Sequence, residues 1–152
     1  MEITRSVQVE APAQKVWELV SDLPRMGELS PENKGGRWVG GATGPAVGAR
    51  FRGVNRSGWR WWSTTVRVTR CEPGTVFAFA VTAVGLKVAE WSYTIASEGD
   101  ACTVTETWTD HRGGAMRALG LLTTGVSDRS VFTATSIEHT LAAVKAAAER
   151  VR

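Results

Sequence analysis

A long run of short strand-like segments, followed by one long helix, most constrains the fold of this chain. After a first segment near Ile3, further segments cover residues 37–39, 50–55, 59–71, 76–81, 88–96 and 102–110. They recur roughly every 10–15 residues with turn residues between them, the spacing of an antiparallel meander. Residues 55–58 are predicted to form the turn of the hairpin that joins residues 50–55 to residues 59–71.

Helical patterns lie near both ends of the chain. Pro12 suits the first turn of a short helix, and Asp22 is predicted to cap a second one. A long helix is predicted from about residue 127 to about residue 150, capped by Ser127 or Asp128. Its apolar face consists of Ala134, Ile137, Leu141, Val144 and Ala148. The predicted class is therefore α+β, a curved antiparallel sheet around a long C-terminal helix.

Length and composition limit the classes of protein to which this chain can belong. The 152 residues are expected to form a single domain over residues 1–152. We expect a cytoplasmic protein, because no apolar run could span a bilayer and residues 1–6 carry no signal-peptide pattern. Two cysteines without C-x-x-C spacing and two histidines predict neither a metal centre nor a disulfide framework. No phosphate-binding glycine loop is present either, so no cofactor is expected.

Strand alternation predicts which side chains face the long helix. In residues 102–110 one face is a row of threonines, so Val104, Glu106 and Trp108 are expected to point inward. Large inward rings opposite the small residues of the helix predict an internal cavity, and the alternative is that the seven tryptophans fill the core. The residues expected to line the cavity are Trp38, Phe51, Trp62, Thr64, Phe79, Trp91, Trp108, Leu119, Leu122, Ile137 and Leu141.

Three residues are candidates for chemistry. Glu106 would have its charged form disfavoured by burial, which suits a general acid or base, or it could simply pair with an arginine or with a hydroxyl such as Tyr93 or Thr64. Tyr93 could orient a ligand carbonyl or be an ordinary core residue. His111, just after the last strand, could shuttle protons at a cavity mouth or be a solvated loop residue.

The order of these elements resembles a known family. The residues that carry the resemblance are Ala11-Pro12, Val16-Trp17, Val20-Ser21-Asp22, Leu29-Ser30-Pro31-Glu32, Trp38, Gly48-Ala49-Arg50-Phe51, Trp62-Ser63-Thr64, Val104-Thr105-Glu106 and Asp128-Arg129. The whole pattern resembles the polyketide cyclase/dehydrase family of the START-like (SRPBCC, helix-grip) superfamily. The resemblance implies seven strands, two short helices that plug one end, and a C-terminal helix across the cavity.

The function that the resemblance implies is binding of a small hydrophobic molecule, polyketide-like or lipid-like. Only some members of the superfamily are enzymes, so two interpretations stay open. The pocket could promote cyclisation or dehydration by general acid/base chemistry without a cofactor. Alternatively, the protein is a non-catalytic carrier or sensor of an apolar metabolite.

A basic stretch suggests a second kind of partner. Residues 33–71 contain eight lysines and arginines and no acid, and Trp59 and Trp61 are predicted to lie on the outer face of their strand. Arginines interleaved with tryptophans resemble a nucleic-acid platform, but the modest net charge of +3 does not favour nucleic acid. An exposed Trp59/Trp61 patch fits a homodimer contact better.

Overall fold

A single antiparallel sheet organises the chain in the computed structural model, which describes residues 2–29, 33–83, 85–112 and 129–150. Its strands are β1 (Glu2–Val9), β2 (Asn33–Val39), β3 (Arg50–Ser57), β4 (Arg60–Glu72), β5 (Val76–Ala83), β6 (Leu86–Glu98) and β7 (Ala101–Asp110). Their order is β1-β7-β6-β5-β4-β3-β2, so β2 to β7 form a meander and β1 pairs with β7. The predicted antiparallel meander is confirmed.

In the part of the chain that the structure describes, three helices accompany the sheet. Helix α1 (Ala13–Val20) and a 3₁₀ helix (Leu23–Glu28) follow β1, and the long helix α2 (Arg129–Arg150) ends the described chain. Helix α1 forms because Val16, Trp17 and Val20 share one face, which is buried. The predicted α+β architecture, with two short helices after the first strand, is confirmed. None of the helices in the described part of the chain has the length and hydropathy needed to cross a membrane.

The core lies between the concave face of the sheet and the helices. The Nε1 of Trp17 donates to the Val76 carbonyl at 2.9 Å, and its ring meets Phe77 edge-on at a centroid distance of 6.5 Å. These contacts fix α1 against the end of the sheet where β5 begins. On α2, Ile137, Leu141, Val144 and Ala148 are buried as predicted, and Ala134 is half-buried.

Two local predictions are wrong. The β3–β4 turn consists of Gly58 and Trp59 rather than residues 55–58, because the ladder continues to Ser57 opposite Arg60 and Gly58 takes a left-handed φ of +63°. Asp22 precedes the 3₁₀ helix but makes no side-chain capping bond. Leu119, Leu122 and the proposed caps Ser127 and Asp128 lie outside the described residues.

Candidate functional site

A buried carboxyl–phenol pair lies on the concave face of the sheet. Tyr93 on β6 and Glu106 on β7 are direct partners in the antiparallel register, so their side chains leave the sheet on the same side. The Tyr93 hydroxyl donates to Glu106 Oε2 at 2.8 Å. Glu106 is only 1% exposed and Tyr93 only 2% exposed. Of the pairing partners considered for Glu106, the Tyr93 hydroxyl is the one that bonds to it.

The two carboxyl oxygens of Glu106 differ in their contacts. Within the described residues, Oε1 is buried and has no hydrogen-bond partner. Arg5 lies directly opposite Glu106 in the register of β1 and β7, but its guanidinium extends to Glu138 on α2, with an Nε–Oε2 distance of 3.8 Å. The nearest cation by register therefore turns away, which leaves Oε1 available to a further group.

Burial decides the protonation state of Glu106. Loss of solvation raises its pKa to about 8, against a smaller lowering by the hydrogen bond from Tyr93. A carboxyl with this pKa is mostly protonated at neutral pH, so it can donate a hydrogen bond as well as accept one. Burial first, and then the neighbouring Glu106, also raise the pKa of Tyr93 well above its usual range, so the phenol keeps its proton.

Aromatic side chains surround the pair on the same face of the sheet. Tyr93 lies opposite Phe77 on β5. Two residues earlier on β6, Trp91 lies between Phe79 on β5 and Trp108 on β7 as the direct register partner of both. The rings of Trp91 and Trp108 are 6.5 Å apart, centroid to centroid. The environment of Glu106 is therefore apolar, which is the physical reason for its raised pKa.

Several predicted lining residues point inward but are not fully covered. Trp38, Trp62, Thr64 and Trp91 are half-buried, whereas Phe51, Phe79, Trp108, Ile137 and Leu141 are buried. The reason lies in the position of α2, which packs chiefly on β1, α1 and β7. The concave face consequently retains accessible aromatic surface at Trp38, Trp62 and Trp91.

His111 is not brought to the buried pair. Its backbone N–H donates to the Val88 carbonyl at 3.0 Å, and its Nε2 lies 3.2 Å from Oε2 of Glu90 on the exposed side of β6. Because Glu90 and Tyr93 leave β6 on opposite faces, this contact directs the imidazole away from Glu106. A proton-shuttle role for His111 stays a prediction.

Sequence reasoning missed two features of the site. At the end of β7, Arg112 forms a bidentate salt bridge with Asp110, in which Nε donates to Oδ1 at 2.9 Å and Nη2 donates to Oδ2 at 3.0 Å. The Asp110 side chain is only 3% exposed. Arg5 was not recognised as the register neighbour of Glu106. Its alternation with Ile3 and Val7 could have placed it on the same face of β1.

No cluster of three or more potential metal-ligating side chains occurs among residues 2–29, 33–83, 85–112 and 129–150. The two cysteines are free, and Cys102 on β7 is buried whereas Cys71 on β4 is half-buried. Burial raises the pKa of both thiols, which keeps them in the unreactive protonated form.

Comparisons with known proteins agree with the observed fold. Residues 1–149 match the family described as polyketide cyclase / dehydrase and lipid transport. The fold resembles a polyketide-cyclase-like protein from Corynebacterium glutamicum, at 29% identity over 95% of this chain and 88% of that chain, with a TM-score of 0.60. It also resembles a START superfamily protein from Mycobacterium smegmatis, at 15% identity over 99% of both chains, with a TM-score of 0.73.

A Streptomyces aromatase/cyclase shares the fold at 19% identity over 99% of this chain and 94% of that chain, with a TM-score of 0.66. No protein among the curated sequences matches the chain.

Proposed function

Since the chain belongs to the polyketide cyclase/dehydrase and lipid transport family, we propose that it binds a small apolar molecule carrying a carbonyl or hydroxyl oxygen beside Glu106. The observation that carries the proposal is the buried Oε1 of Glu106, which has no hydrogen-bond partner among the residues that the structure describes. An unsatisfied buried polar atom costs free energy, and a ligand oxygen would remove that cost. The apolar rings around it would bind the rest of the ligand.

The chemistry of the pair defines the polar end of the ligand. The Tyr93 hydroxyl is committed to Oε2 of Glu106, so in the protonated acid the hydrogen at Oε1 is the donor without an acceptor. A ketone or aldehyde oxygen accepts such a bond and an ammonium group cannot. The site therefore suits a neutral carbonyl compound better than a cation.

The same arrangement can serve as a general acid. Glu106 would transfer its proton to the ligand carbonyl oxygen while a water molecule accepts the proton of the adjacent C–H bond. One proton is gained at oxygen and one is lost from carbon, which gives the enol, the first step of an aldol cyclisation or a dehydration. The pKa of about 8 suits this role near neutral pH. The Streptomyces protein that shares the fold is an aromatase/cyclase, which supports this class of reaction.

Matched probes test the binding proposal. We would measure the affinity of the purified chain for 2-acetylnaphthalene and for 2-ethylnaphthalene by equilibrium dialysis at neutral pH. The two probes share their apolar body and differ in the carbonyl oxygen. We expect the ketone to bind more tightly by about fivefold to tenfold, the value of one hydrogen bond. Equal affinities for the two probes would refute the carbonyl site.

Two variants then separate binding from catalysis. Glu106→Leu combined with Tyr93→Phe removes both the carboxyl and the hydroxyl that its loss would free, so this double variant should bind both probes equally. Glu106→Gln keeps an N–H donor but cannot transfer a proton, so it should keep the preference for the ketone.

Native mass spectrometry of protein purified from its own cells would identify a bound molecule to test for turnover. Loss of turnover in Glu106→Gln would support the enzyme, and unchanged turnover would refute a proton-transfer role. A ligand that wild type releases unaltered would favour a carrier.

A further inference from the structure

The hairpin formed by β3 and β4 projects beyond the sheet. Its ladder runs to Ser57 opposite Arg60, whereas the pairing of β4 with β5 begins only at Thr65 opposite Thr82. The tip of the hairpin therefore extends past the end of β5. Because consecutive strands are antiparallel, the β5–β6 turn and the end of β7 lie at this same end of the sheet.

Large apolar side chains are exposed at this end. Trp59 in the β3–β4 turn is 76% exposed and Trp61 is 57% exposed. Leu86, where β6 begins after the neighbouring turn, is 52% exposed. The guanidinium of Arg60 lies 4.3 Å from the centroid of the Trp59 ring, and that of Arg56 lies 5.0 Å from the Trp61 ring. The two guanidinium groups therefore contact tryptophan rings that are largely exposed to solvent.

The outer face of β2, β3 and β4 carries an arginine array. It comprises five exposed side chains, Arg37, Arg50, Arg52, Arg56 and Arg67. Arg37 is the direct register partner of Arg52, and Arg50 is the direct partner of Arg67. Like charges placed directly opposite each other repel, and residues 33–71 contain no acid to offset them. An anionic partner would relieve this repulsion.

The nature of the exposed groups selects among anionic partners. A second copy of the chain would bring one arginine array against another, which disfavours a symmetric contact. A nucleic acid offers phosphates and bases, but no apolar phase for Leu86. A lipid bilayer offers both, because tryptophan rings lie at the headgroup level and arginines bind lipid phosphates.

We propose that the ends of the β3–β4 and β5–β6 hairpins dock on the surface of an anionic lipid bilayer. Trp59, Trp61 and Leu86 enter the headgroup layer, and the members of the arginine array nearest the hairpin end, Arg52 and Arg56, face the lipid phosphates. Docking of this kind is peripheral and does not require any segment to cross the bilayer. It does not depend on the carbonyl site, so either proposal can fail alone.

Vesicle flotation with the full chain tests the proposal. The vesicles are phosphatidylcholine alone, or equal parts phosphatidylcholine and phosphatidylglycerol. We expect binding to the mixed vesicles only, and weaker binding as salt rises toward about 0.15 M, where surface charges are screened. No binding to the mixed vesicles at low salt, or equal binding to both kinds, would overturn the proposal.

Variants locate the docking surface. Neutralising Arg52 and Arg56 to Gln should weaken binding by about thirtyfold, at the usual contribution of a basic residue near a charged membrane. Trp59→Ser and, independently, Leu86→Ser should each weaken it by at least about fivefold.

The matched controls lie elsewhere on the molecule. Arg25→Gln removes one exposed charge from the 3₁₀ helix, and Val47→Ser changes a 69% exposed residue at the opposite end of the sheet. Both should bind as wild type does. Equal losses in these controls would place docking elsewhere. Displacement of the chain from vesicles by a single-stranded oligonucleotide through the same arginines would instead assign the surface to nucleic acid.

Discussion

Replacing Glu106 by Gln should change how the stability of the protein depends on pH. In the wild type, the pKa of Glu106 is 4.5 in the unfolded chain and about 8 in the folded protein. Between these values the folded state holds one more proton than the unfolded state, so the free energy of unfolding falls as pH rises. The contribution is fully present below pH 4.5 and is lost by about pH 8.

The magnitude follows from the width of that interval. Each pH unit is worth about 1.4 kcal/mol for one proton, so the wild type loses about 5 kcal/mol across the whole range. That is a large share of the 5–15 kcal/mol typical of a domain. The amide of Glu106→Gln does not titrate, although its buried N–H groups cost about 1 kcal/mol at every pH.

Urea unfolding followed by tryptophan fluorescence from pH 4.5 to pH 9 provides the assay. At pH 4.5 the variant should be equal to the wild type or slightly less stable, and above pH 8 it should be more stable by several kcal/mol. Glu98→Gln changes an exposed glutamate on β6 and should follow the wild type throughout. Parallel curves for Glu106→Gln and the wild type would refute the raised pKa and the burial argument behind it.

Two further substitutions test the hydrogen bond to Glu106 and the backbone of edge strand β2. In Tyr93→Phe the hydrogen bond that lowers the pKa of Glu106 is lost, so the decline in stability should continue to a pH above about 8; a decline that ends earlier contradicts this. Gly36→Ala should cost at least about 1–3 kcal/mol by thermal unfolding, because the residue has φ +152° and a Cβ there would overlap the Arg52 carbonyl oxygen. Gly44→Ala, with open space around it, is the control, and an equal loss there would show that the overlap is not the cause.

Alternation predicted the inward face well because its period is local. Once Val104 is buried, Glu106 and Trp108 must follow it, whatever the rest of the fold does. The Tyr93–Glu106 contact needs more, since it depends on the register of β6 against β7. That register follows from the two-residue turn at Gly99 and Asp100, which the sequence predicted only as part of a wider turn.

Other features could not be predicted because they depend on tertiary geometry. Arg5 shares a face and a register position with Glu106, yet its side chain is long enough to reach Glu138 on α2 instead. His111 follows β7 directly, but its contact with Glu90 turns it to the exposed side of the sheet. In both cases a neighbouring carboxylate, distant in sequence, decides where the side chain points.

Folding alone does not account for Glu106. The residue lies in an apolar row of the sheet, where a leucine would bury apolar surface without the penalty of removing a charge from water. Glu106→Leu combined with Tyr93→Phe should therefore be more stable than the wild type above pH 8, because neither change leaves a buried polar group without a partner. The same variant should lose its preference for the ketone probe. Stability and ligand selectivity would then move in opposite directions, which a purely structural role for the carboxyl does not allow.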